Sequence, residues 1–169
     1  VAKYLHSNTK QKRYKIGSGD DFAIGDHVFC DASDSFFIKP AADFTWNSTL
    51  AQTQADFCLR YAGVVMATYT GSTFSSGGPN EYGLQQGEVM VYEDGVFEEN
   101  CASATFNTGT LVGMAKQSGN ALESQKVVQT STEVTSIGRV YAPATSSTKV
   151  KIAIDPNLSK VTTAADSGS

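Results

Sequence analysis

Apolar residues in this chain come in short runs of about four to eight, each bounded by Gly, Asn, Asp or Ser, the pattern of β-strands joined by tight turns. The runs Asp26–Cys30, Phe36–Lys39, Ala62–Tyr69, Thr110–Ala115, Lys126–Thr130, Ile137–Ala142 and Lys149–Ile154 each predict a strand. Between Glu88 and Glu98, two strand-forming runs flank Asp94-Gly95. That dipeptide favours the positive φ angles of a type I′ turn, so the stretch predicts a hairpin. One segment breaks the pattern. Ser48–Leu59 lacks turn residues and does not alternate, and Leu50, Ala51, Gln54, Ala55 and Cys58 fall near helical spacing. It predicts a short helix capped by Ser48 or Asn47, with its apolar side against the end of a sheet. The expected fold is therefore all-β, a β-sandwich or small β-barrel (β-tulip-like) with one short α-helix.

Three strand candidates place Gly directly after an apolar residue, at Gly63, Gly113 and Gly138. Gly inside a strand marks a bulge or a close backbone approach. Three such places predict a sheet that bends sharply, as a small barrel requires.

Charge divides the chain unevenly. Val1–Lys15 carries five basic residues and no acidic one, whereas Ile16–Asn100 carries two basic and thirteen acidic residues. The pattern predicts three parts: a basic arm over 1–18, a β-rich body over 19–155 and a flexible, small polar tail over 156–169. Lys3, Lys10, Lys12, Arg13 and Lys15 supply the arm's charge, and Tyr4, Leu5 and Tyr14 its apolar component. With so few apolar residues, the arm is expected to stand off the body and to serve as a contact segment. Only 18% of all residues are charged, which suits a surface largely covered by partners.

The chain is poor in recognisable chemistry. It has no phosphate-binding Gly-rich loop, dinucleotide fingerprint, zinc-protease helix or nucleophile elbow. Of the two histidines, His27 stands three residues before Cys30, a zinc-like spacing without the second ligand pair that a structural site needs. A solvated His27 beside a buried Cys30 is the favoured reading. His27 with Cys58 or Cys101 has no local support as a nucleophilic pair. Asp31–Ala42 lacks the Gly and Glu of a calcium loop, and Asp20, Asp21, Asp26, Asp31 and Asp34 read as hydrated loop carboxylates. Three widely spaced cysteines are not a disulfide framework, and free thiols without metal are expected. Residues 1–6 do not read as a signal peptide, and no apolar run reaches membrane-spanning length. The acidic body argues against nucleic-acid binding. The expectation is a protein with no catalytic residues, metal or cofactor, bound neither to nucleic acid nor to membrane.

Several stretches resemble small cement proteins of tailed-phage capsids. They are Trp46–Phe57, Tyr61–Val65, Gly95–Cys101, Gly109–Gly113, Ser118–Leu122, Gln125–Val128 and Ile137–Val140, in an order that is similar from about Gly25 to Ile154. Gly63–Phe97 is also similar to lambdoid head decoration proteins, which share a Gly-led apolar strand, a second strand, a tight turn and a Gly-x-Phe. The resemblance implies a non-enzymatic virion protein, made in the host cytoplasm and seated on the capsid exterior. It further implies a homotrimer on three-fold lattice positions, bound to the major capsid protein through a terminal arm and stabilising the expanded head. A tail or baseplate component, or a carbohydrate-binding adhesin, is the alternative. An adhesin requires an aromatic-lined groove, and Trp46 is the single Trp.

Overall fold

The computed structural model describes residues 3–6 (backbone only), 10–17, 19–70 and 87–156. The expected tail beyond Pro156 lies outside the described residues. Eleven strands form two sheets: β1 Lys3–His6, β2 Gln11–Lys15, β3 His27–Cys30, β4 Ile38–Pro40, β5 Tyr61–Val65, β6 Glu88–Tyr92, β7 Gly95–Phe106, β8 Leu111–Lys116, β9 Leu122–Gln129, β10 Gly138–Ala142 and β11 Ala144–Ile154. One α-helix, α1, spans Leu50–Arg60.

The first sheet runs β1-β7-β11-β10-β8-β9. It closes on itself, because β9 also pairs in parallel with β7 at Asn100–Lys126 and Cys101–Val127. The second sheet runs β2-β6-β5-β3-β4, and a single parallel bridge, Lys15 to Phe37, brings its two ends together. The molecule is thus a pair of five-stranded rings, one closed and one drawn shut at a single point. Closure covers most of the edge that an open sheet would carry, leaving β1 at the end of the first sheet and part of β2 in the second.

Each ring has its own apolar filling. Tyr14, Ile16, Phe22, Val28, Ile38, Ala62, Val65, Tyr69, Val89 and Val91 fill the second. The larger cluster holds Phe97, Phe106, Val112, Met114, Leu122 and Ile152 of the first ring, and extends to Phe29, Tyr61 and Val64 from the second. Strands β3 and β5 thus bury one face in each cluster. All five residues of β5 are buried, which is why this run reads as continuously apolar rather than alternating.

The helix begins two residues after its expected start. Its cap is Thr49, whose side chain accepts from the Gln52 N–H, while Ser48 takes a positive φ of 52° in the turn before it. Thr53, Gln54, Phe57 and Cys58 face inwards. Phe57 stacks edge-on with Phe29 and Phe44, and the Gln54 amide donates to the Met114 carbonyl at 2.7 Å.

Two expectations are corrected. Glu88–Glu98 is not a hairpin: β6 pairs with β2 and β5, whereas β7 pairs with β1, β11 and β9. Asp94 has no positive φ, and Gly95, at φ 133°, carries the chain from one ring to the other. The basic segment does not stand off the body. Gln11–Lys15 is a full strand of the second ring, and Tyr14 and Ile16 are 5% and 6% exposed in its filling. Tyr14 and Ile16 lie on one face of the segment and point inward, whereas Gln11, Lys12, Arg13 and Lys15 are exposed.

The three strand glycines do allow close approach. A Cβ would lie 2.1 Å from the Tyr92 carbonyl oxygen at Gly63, 2.3 Å from that of Thr135 at Gly113, and 2.2 Å from that of Ala153 at Gly138.

Candidate functional site

Strand β2 and the residue before it form a cationic strip on the described surface. Lys10, Lys12, Arg13 and Lys15 are all exposed, and none makes a salt bridge among the described residues. The strand is pinned between them. The Tyr14 hydroxyl donates to Glu93 at 3.1 Å, and the Lys10 backbone N–H donates to Asp94 Oδ1 at 2.7 Å. Burial, then the neighbouring Cys30 and Glu93, push the Tyr14 phenol well up from its ordinary value, so it stays protonated. The Lys12 ammonium lies over the Tyr14 ring at 4.9 Å and near the Phe36 ring at 6.0 Å. Phe36 is 55% exposed.

Lys10, Lys12, Phe36 and Glu93 line a cleft of about 600 Å³ at the mouth of the second ring, together with Tyr14, Cys30, Tyr61 and Ala62. Asp94 and Asp155 complete its rim. Of the eight residues expected to contact a partner, Lys12, Arg13 and Lys15 are exposed cations on this strand, Lys10 is exposed directly before it, and Tyr14 is spent on the filling. Lys3, Tyr4 and Leu5 lie in β1, against Glu98 and Phe97 of β7, and their side chains lie outside the described residues.

A buried polar group lies near the cleft floor, and sequence reasoning missed it. His27 is not solvated as expected; it and Glu99 are wholly buried, and Tyr61 is 2% exposed. His27 Nδ1 lies 2.8 Å from the Tyr61 hydroxyl and Nε2 lies 3.1 Å from Glu99 Oε1. The second contact is off-axis, and neither Glu99 oxygen has an aligned hydrogen bond. The imidazole thus stands between the Tyr61 hydroxyl and the Glu99 carboxyl group. The order carboxylate, imidazole, hydroxyl is that of a nucleophile-activating triad. Burial and the Glu99 charge push the Tyr61 phenol far above its ordinary value. The group ties β3 and β5 of one ring to β7 of the other. Nothing local in the sequence marks these three residues, which are far apart in the chain and converge only through ring packing.

No protein-family model matches the chain, and no curated protein matches it in sequence. Among solved structures it is similar to the head fiber gp8.5 N base of bacteriophage phi29, at 13% identity and a TM-score of 0.45, over 88% of this chain and 95% of that one.

The remaining candidate groups serve local structure. Cys30 is half-buried rather than buried as expected, while Cys58 and Cys101 are buried, and all three are free thiols. Burial pushes Cys58 up to about 12 and raises Cys101 as well. Among the described residues no three His, Cys, Asp or Glu side chains form a metal-binding group. Asp20, Asp26, Asp31 and Asp34 accept from backbone N–H groups of their own turns. Trp46 packs on the larger apolar cluster with the Lys116 ammonium 4.7 Å over its ring, so it lines no aromatic groove.

Proposed function

We propose that this chain is a non-enzymatic structural protein of a tailed-phage virion, which binds the outside of the capsid and stabilises the expanded head. The observation that carries the reading is strand β2 with the residue before it: the exposed cations Lys10, Lys12, Arg13 and Lys15, on a segment fixed into the body by the buried Tyr14 and Ile16. Such a strip suits attachment to an acidic protein surface, and the load passes into two packed rings rather than a loose tail. The resemblance of seven stretches to capsid cement proteins supports the same reading. A protein that binds only the expanded lattice stabilises it by mass action. Lattice symmetry multiplies modest contacts, and self-association into a trimer multiplies them further.

The test is cosedimentation with expanded, undecorated heads. Deleting residues 1–15 is a poor probe, since it removes β1 from the first sheet and β2 from the second. Lys10, Lys12, Arg13 and Lys15 should be changed to Glu instead. The native protein should bind and raise the temperature at which heads rupture. The charge-reversed variant should keep its fold and lose binding. Native protein that leaves heads bare at low salt contradicts the reading.

A further inference from the structure

We propose that the seam between β2 and the Phe36–Ile38 segment is a slot for an extended, acidic peptide segment of a partner, added as a strand to the outer edge of β2. The inference deepens the proposed function, on which it rests for the partner's identity but not for the slot itself.

The hydrogen-bond register of β2 exposes the slot. Glu93 N donates to Lys10 O, and Ile16 N donates to Gly87 O. The even-numbered residues of β2 are therefore the ones bonded to β6, in register Lys12 to Val91 and Tyr14 to Val89. The odd-numbered residues turn their N–H and C=O groups the other way. One of these meets a partner, since Lys15 N donates to Phe36 O at 2.7 Å, and that contact is the point where the ring is drawn shut. Beyond it the seam opens. Among the described residues, nothing meets the outward N–H and C=O groups of Gln11 and Arg13, because β2 pairs only with β6 and that bridge.

The seam borders the cleft at the ring's mouth, and Phe36 stands 55% exposed on the far side. An exposed strand edge facing a concave, partly aromatic wall is the geometry that accepts an added strand. Charge selects the occupant. Lys10, Lys12, Arg13 and Lys15 flank the edge on both faces of the sheet. Of the carboxylates that line the cleft, Glu93 accepts from the Tyr14 hydroxyl and Asp94 from the Lys10 N–H, and Asp155 stands on the rim. Acidic side chains on an incoming strand would neutralise the cations, and an apolar one would lie on Phe36.

The probe is a blocked ten-residue peptide of alternating glutamate and valine, compared with its lysine–valine counterpart. Backbone amide exchange is read at each residue of β2. Without peptide, Gln11 and Arg13 should exchange fast, and Lys12 and Tyr14 slowly. The acidic peptide should protect Gln11 and Arg13, bind at least tenfold more tightly than the basic one, and weaken as salt rises. Arg13→Pro removes the outward N–H without costing a bond to β6. It should keep the fold and abolish protection at Gln11. Fast exchange at Gln11 under millimolar acidic peptide, in folded native protein, overturns the slot. Expanded heads form the second arm. If the acidic peptide binds and heads do not, the slot stands and the capsid reading fails. If heads bind native protein and Arg13→Pro alike and the peptide protects nothing, the slot falls and the capsid reading stands.

Discussion

At the scale of single residues, the Glu99–His27–Tyr61 group decides most. His27 and Glu99 are wholly buried against each other, so removing one partner leaves the other's polar atoms facing a void. His27→Ala should cost roughly 1–3 kcal/mol of unfolding free energy or more, the range for leaving a buried polar group unsatisfied. Tyr61→Phe, which removes one hydroxyl, should cost about 1–3 kcal/mol. Urea titration of each variant measures both. Alkaline pH probes the same interior. Cys58 is pushed from its ordinary 9.0 up to about 12, and Tyr14 and Tyr61 shift the same way. Above the ordinary value the unfolded chain releases a proton that the folded chain keeps. The Cys58 contribution is therefore complete below about pH 9 and is lost as pH rises towards 12. Stability against urea should fall steadily across that window. At pH 8, native protein should show one fast thiol, Cys30, and denatured protein three. A fast Cys58 or Cys101 in native protein would contradict the burial described.

At the scale of elements, the glycines are the sharpest test. Gly63→Ala, Gly113→Ala and Gly138→Ala each drive a methyl into a backbone carbonyl, which cannot rotate away as a side chain would. Each should cost roughly 2–3 kcal/mol or more. Gly119→Ala meets nothing within 4 Å and should cost only backbone strain, about 1 kcal/mol. Equal effects at all four would mean that the close approaches are absent. These glycines were legible because a strand glycine has few other uses. The helix was legible too, as a break in alternation. Strand β2 was not, because four of its neighbouring positions are cations and only Tyr14 and Ile16 mark its inward face. The Asp94-Gly95 turn misled for a related reason: a glycine with positive φ ends a strand equally well in a hairpin or in a crossing between sheets. The buried triad left no local trace, since its members lie on three strands of two rings.

At the scale of the whole molecule, two five-stranded rings, each with its own apolar cluster, present one cationic strand at the mouth of the second ring. Strands β3 and β5 contribute to both clusters, and β2 is held to this body by β6, by the Lys15–Phe37 bridge and by its buried Tyr14. The proposed head-binding role would pass load through these contacts. The most direct measurement is therefore the occupancy of expanded, undecorated heads by native protein and by the quadruple variant of Lys10, Lys12, Arg13 and Lys15 to Glu, both confirmed folded by circular dichroism. Native protein should coat the heads at low salt and less so at high salt, while the variant leaves them bare. Equal coating by both proteins at every salt concentration would contradict a head-binding role for β2.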